Sequence, residues 1–191
     1  TNNITDKEEK ILILGDSIRA SYGIKQKDNW VSLLQEEFYK EETSLKLINS
    51  SVSGDTTSGG LERLKEDLKI SNPDYVLIEL GGNDALRGYP VKKIKDNLKQ
   101  MISLVKANNS KPLLMQIRIP PNYGQKYTYA FEKIYVDLAL AENINLLPFM
   151  LENIGVNSDL MQSDGIHPNK KAQEMIAKDV KKNLNKVLFF K

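Results

Sequence analysis

The 191-residue chain has no cysteine and a single histidine, His167, and these scarcities narrow its chemistry before any motif is read. Without cysteine there is no disulfide, no thiolate nucleophile and no cysteine-ligated zinc. Any mechanism that pairs a serine with an imidazole must use His167. Excess charge is lacking too. The 27 Lys and Arg against 25 Asp and Glu leave +2, too balanced for the basic footprint of a nucleic-acid binder. Lys92, Lys93 and Lys95, and again Lys181, Lys182 and Lys186, fall on stretches of helical period and read as solvated helix faces. The apolar runs at 11–14 and 76–80 are far shorter than the roughly 20 residues a membrane span requires. Residues 1–9 are polar, with no apolar signal core, and read as a stub left by signal removal or by trimming.

What is present is an alternation of short β-type runs with stretches of helical period. Strands are expected at 11–14, 45–48, 75–80, 113–117 (opened by Pro112) and 144–147. Between them, apolar residues recur at helical spacing: Trp30, Leu33, Leu34 and Phe38; Leu61, Leu64 and Leu68; Val91, Ile94, Leu98, Met101 and Val105; Phe131, Ile134, Tyr135 and Leu138. Ala172, Met175, Ile176, Val180 and Leu184 form a closing helix. Strands alternating with helices of ten or more residues predict an α/β fold, a flavodoxin-like parallel sheet of about five strands between helix layers. No linker or repeat interrupts 1–191, so one domain is expected.

Open parallel sheets bind ligands beyond the carboxyl ends of their strands, so the residues after each apolar run are the candidates. The first run leads into Gly15-Asp16-Ser17, where a serine hydroxyl and its backbone N–H can both face a ligand; a plain helix cap is the competing reading. The second ends near Gly54, which is either a turn glycine or a backbone N–H donor able to approach an oxyanion closely. The third ends in Gly81-Gly82-Asn83-Asp84, which is either a plain turn or one that projects the Asn83 amide over the sheet end as a further donor. Near the C-terminus comes Ser163-Asp164-Gly165-Ile166-His167-Pro168-Asn169. Pro168 holds His167 in extended geometry, and Asn169 is placed to cap the last helix. Asp164 can accept from Nδ1–H and leave Nε2 free to take a serine proton.

Together these blocks resemble the SGNH or GDSL hydrolases: Gly-Asp-Ser, a glycine after strand two, Gly-x-Asn-Asp after strand three, and Asp-x-x-His. All four occur here in order, and the segments 77–84, 113–118 and 164–169 are most similar to the bacterial thioesterase I, lysophospholipase and arylesterase branch. The resemblance implies a three-layer α/β/α sandwich and a serine esterase or thioesterase acting through an acyl-enzyme. It assigns Ser17 as nucleophile, His167 as base and Asp164 as its partner. The oxyanion donors it implies are the Ser17 N–H, the Gly54 N–H and the Asn83 side chain. It implies no metal or cofactor, a small acyl ester or thioester as substrate, and a periplasmic or secreted enzyme. Ile18 replaces the leucine of GDSL, and Arg19 and Ser21 stand where small residues are usual, so a cation lies about one turn from the nucleophile.

A non-catalytic module holding an acyl or sugar ligand on the same fold is the rival from another class. A nucleotide binder lacks the G-x-G-x-x-G after strand one, and the G-x-S-x-G of α/β-hydrolases is absent. An acyl pocket is expected between the loops after strands three and four, lined by Leu86, Ile119, Pro120 and Tyr123. A monomer is expected, with no nucleic-acid partner and no transmembrane segment.

Overall fold

The computed structural model describes residues 8–16, 21–165 and 167–188. Five strands form one parallel sheet: β1 (Glu9–Gly15), β2 (Leu45–Ser51), β3 (Tyr75–Glu79), β4 (Lys111–Met115) and β5 (Asn145–Leu147), in the order β2-β1-β3-β4-β5. Six α-helices lie among the described residues: α1 (Trp30–Lys40), α2 (Thr57–Ser71), α3 (Gly82–Leu86), α4 (Val91–Ala107), α5 (Gln125–Glu142) and α6 (Lys170–Leu188).

Strand alternation sorts the core into two halves. Ile11 and Ile13 of β1, Tyr75 and Leu77 of β3, and Leu113 and Met115 of β4 face the helices α1 and α6. Their neighbours Leu12 and Leu14, Val76 and Ile78, and Leu114 face α2, α4 and α5. The central strands are therefore apolar on both faces, which is why they read as continuous hydrophobic runs. Each fully buried Leu or Ile contributes about 1.5–3 kcal/mol of burial.

Two details differ from the periodicity. β4 spans Lys111–Met115 rather than 113–117. Pro112 is tolerated because β5 pairs only from Leu113 onward, so the ladder on that side needs no Pro112 N–H. Ending β4 at Met115 frees Ile117 and Ile119 to turn beyond the sheet. On α6 the buried stripe includes Gln173 while Met175 is exposed. The Gln173 Oε1 accepts the Trp30 N–H at 3.0 Å, satisfying an N-terminal donor of α1 that burial would otherwise leave costly. A polar residue at a core position is invisible to an apolar count.

The strand order places the carboxyl ends of β1 and β3 side by side, with Gly15 opposite Glu79 and Gly15 opposite Ser51. The three candidate segments after β1, β2 and β3 thus emerge as neighbours.

Candidate active site

The segment preceding α6 is a tight loop closed by its own backbone. Met161 and Pro168 form an isolated antiparallel bridge, the Gln162 N–H donates to the His167 carbonyl at 2.7 Å, and the Asn169 N–H to the Leu160 carbonyl at 2.8 Å. Asn169 also caps α6, its Oδ1 accepting the Ala172 N–H at 3.1 Å. At the loop's tip Gly165 has φ +67°, a left-handed conformation that glycine adopts without cost. That turn brings Asp164 back on His167 twice. Its Oδ1 accepts the His167 backbone N–H at 3.0 Å, and its Oδ2 lies 2.7 Å from Nδ1. An Nδ1 proton donated to Asp164 sets the tautomer and leaves Nε2 as a base. The Tyr22 ring stacks on the imidazole, with centroids 4.5 Å apart and planes tilted by 32°. Both sides of the ring's orientation are therefore defined, one by a hydrogen bond and one by an aromatic face.

Ser17, with Ile18 and Arg19, lies outside the described residues. Its chain neighbour Asp16 is buried at the end of β1 and receives one N–H of the Asn83 amide. The other amide hydrogen bond of Asn83 goes to the Asp55 carbonyl at 3.0 Å. Asn83 sits in the first turn of a short helix, α3, rather than in an open turn. Gly81 makes this turn with φ +117° against the buried Tyr135 hydroxyl, which donates to the Leu80 carbonyl at 2.7 Å.

Gly54 has φ +70°, and its carbonyl accepts from Arg87 Nη2 at 3.2 Å. Around it the turn after β2 is tied down on several sides. Arg63 holds Asp55 at 3.0 Å and the Ser50 carbonyl at 2.8 Å, and reaches the Gly15 carbonyl at 3.4 Å. The carboxylate of Asp84, next to Asn83, accepts the N–H and hydroxyl of Thr57 at 2.9 and 2.6 Å. Burial pushes the Asp84 carboxyl above its ordinary value, while the Thr57 bonds pull the other way.

A cavity of about 440 Å³ opens beside Asp16, Glu79 and Gly82, within the range of small-molecule sites. Ile117, Ile119 and Pro120 form one wall, and residues 149–152 with Gly155, Val156 and Met161 the other. Ile119 and Pro120 line this cavity, though the wall facing them is not the loop after β3. Leu86 and Tyr123 are not among the lining residues: Leu86 packs against the core and Tyr123 is exposed. The opposing wall is the segment after β5, because β5 is the neighbour of β4 in the sheet and the loop after β3 is occupied by α3 and the Tyr127–Tyr89 contact. Arg118 Nε pairs with Glu152 Oε2 at 3.0 Å across the two walls.

The model of the GDSL-like lipase/acylhydrolase family matches residues 13–175. The chain belongs to that family. An arylesterase of Vibrio mimicus is 46% identical over 94% of this chain and 90% of its own length. The thioesterase 1/protease 1/lysophospholipase L1 of Escherichia coli K12 is 44% identical over 92% of this chain and 83% of its own. In three dimensions the psychrotrophic esterase EstA from Pseudoalteromonas sp., solved as inhibited by monoethylphosphonate, superposes with a TM-score of 0.92. It is 44% identical and covers 95% of this chain and 99% of that one. As a GDSL-like acylhydrolase the chain is an enzyme, which sets aside the non-catalytic binding module. The α/β fold expected from the strand–helix alternation is the fold of these relatives.

Several residues at this candidate site carry no signal from their own neighbourhood in the chain. Tyr22, Arg63 and Thr57 reach the site from 145, 8 and 27 positions away from the partners they touch, His167, Asp55 and Asp84. The apolar run Phe149-Met150-Leu151 is the exception. It follows the end of β5 and was legible by the same rule that picked out the loop after β4.

Proposed function

We propose that the chain hydrolyses carboxylic esters or thioesters of single acyl chains through an acyl-enzyme on Ser17. The observation that carries this reading is the doubly bonded Asp164–His167 turn, which presents the protein's sole imidazole with Nδ1 engaged. In this reading the Ser17 Oγ attacks the acyl carbonyl carbon while Nε2 of His167 takes its proton. The oxyanion that forms is held by the Ser17 and Gly54 N–H groups and by Asn83, whose N–H toward Asp16 exchanges partners while that to Asp55 keeps the amide in plane. Collapse expels the alcohol or thiol, which leaves with the proton from Nε2. Water then attacks the acyl-enzyme, Nε2 takes its proton, and the second collapse returns that proton to Ser17 and frees the acid.

The acyl chain occupies the 440 Å³ cavity, whose lining by Ile117, Ile119, Pro120, Met150, Leu151 and Met161 supports an apolar occupant. The names of the relatives, arylesterase and thioesterase 1/lysophospholipase L1, support the ester and thioester classes. Every group this mechanism uses comes from one chain, so a monomer suffices. Among the described residues no helix is long and apolar enough to cross a membrane. The family resemblance supports a periplasmic or secreted location, which fractionation of the native cells checks. A fluorophosphonate probe tests the core of the proposal. The wild type is labelled on Ser17 and Ser17→Ala is not; labelling that survives in Ser17→Ala removes Ser17 from the role.

A further inference from the structure

We infer that Asp84 is a positioning residue for the oxyanion site: its buried carboxylate ties the Gly54 turn to the Asn83 helix and so holds these two donors at a fixed separation. The inference rests on the oxyanion roles proposed above and adds a residue to which they assign no part.

Asp84 is only 1% exposed and follows Asn83 directly on α3. Both of its oxygens are used by one residue, Thr57, at the first position of α2 and three residues after Gly54. The Thr57 hydroxyl, while donating to Asp84, accepts from the Asn97 amide at 2.9 Å, and that amide also reaches the Ser58 hydroxyl at 3.1 Å. Three elements, α2, α3 and α4, thus meet on one buried hydroxyl. A carboxylate suits this point because two donors converge on it from a single residue. An amide of the same shape does not. Its NH2 would face either the Thr57 N–H, which is donor against donor, or the Thr57 hydroxyl, whose own proton would then lose the acceptor it has in Asp84. Burying this acid costs desolvation free energy that an apolar contact would avoid. The return on that cost is geometric, since displacing a preorganised donor by about 1 Å is enough to cost on the order of 10²-fold in rate.

The test is steady-state kinetics of Asp84→Asn and Thr57→Val at a temperature well below either variant's melting point. For Asp84→Asn, kcat falls about 10- to 100-fold and KM stays within about twofold. That is less than the 10² to 10³ for deleting a whole oxyanion donor, because the donors are displaced rather than removed. The second-order rate of fluorophosphonate labelling falls in parallel. Thr57→Val, which loses only the hydroxyl arm of the tie, loses about 10-fold in kcat. The double variant is no more than about twofold worse than Asp84→Asn, since both changes sever the same tie. A merely structural role predicts a lower melting temperature with kcat retained, and that outcome overturns the inference. If Asp84→Asn does not fold, Thr57→Val decides alone: kcat within twofold of wild type overturns it. Wild-type enzyme unlabelled at Ser17 fails the proposed mechanism and this inference with it. Labelled wild type with unchanged variant kcat fails this inference only.

Discussion

Gly81 is the glycine whose replacement the structure prices most directly. A Cβ there would lie 2.1 Å from the Tyr135 hydroxyl and 3.4 Å from its Cζ, at a backbone φ of +117°. Tyr135 is fully buried, so the ring has nowhere to retreat without disturbing Phe131, on which it packs edge-on at 5.4 Å. Three costs add for Gly81→Ala. The positive φ costs an alanine about 1–2 kcal/mol, overpacking about 1–3 kcal/mol, and displacing the hydroxyl from the Leu80 carbonyl about 1–3 kcal/mol. The sum of about 3–8 kcal/mol rivals the whole stability of an ordinary domain, about 5–15 kcal/mol. Removing the hydroxyl tests the origin of the cost. With Tyr135→Phe the closest ring atom is the one at 3.4 Å, so most of the overpacking disappears and the hydrogen bond is already lost. The double variant should therefore lose only about 1–2 kcal/mol beyond Tyr135→Phe itself, a favourable coupling readable by urea unfolding of all four proteins. Gly81→Ala within 0.5 kcal/mol of wild type, to borrow the usual surface-substitution range of about ±0.5 kcal/mol, would refute the reasoning. So would an equal penalty in both backgrounds.

Asp164→Asn should keep the fold, since the residue lies on an exposed turn, yet lower kcat by up to about 10⁴ through loss of the Nδ1-protonated tautomer; near wild-type kcat would mean another group orients His167. Truncating the cavity wall by Ile119→Ala or Met150→Ala should flatten the dependence of kcat/KM on acyl length across p-nitrophenyl esters from acetyl to decanoyl. In the wild type each buried methylene contributes up to about 0.8 kcal/mol, or roughly fourfold, whereas Tyr123→Ala, outside the lining, should keep the wild-type slope. Because burial raises the folded-state pKa of Asp84, its ionised form weakens the fold above that pKa. This cost is relieved as pH falls through the folded value toward the unfolded one. The melting temperature of the wild type should therefore rise relative to that of Asp84→Asn between pH 7 and 4; a difference that stays constant or shrinks would contradict the buried, ionised carboxylate.

What could be read without the structure was whatever depends on neighbours in the chain. The strands were legible because both faces of a central parallel strand are buried and leave continuous apolar runs, as in Ile11 to Leu14. The helices were legible because one buried face repeats every 3.6 residues. The Asp164–His167 pair was legible for a similar reason: three residues around a glycine turn bring the carboxylate to the ring whatever the rest of the fold does. Ser17 and Asn83 were placed by a rule about strand ends, which needs only the strand positions. The sequence by itself thus determined the layers and the family, and singled out the strand ends as the candidate site. The tertiary structure alone decided what those ends touch. Sheet order puts the segment after β5, rather than the loop after β3, across the cavity from Ile119. Helix packing brings Gln173 beneath Trp30, and the fold sets the Tyr22 ring on His167. Asp84 meets Thr57 only because α2 and α3 start side by side. Contacts of this kind join residues tens of positions apart, where periodicity and spacing carry no information, and they exist only once the sheet has set which chain segments are neighbours.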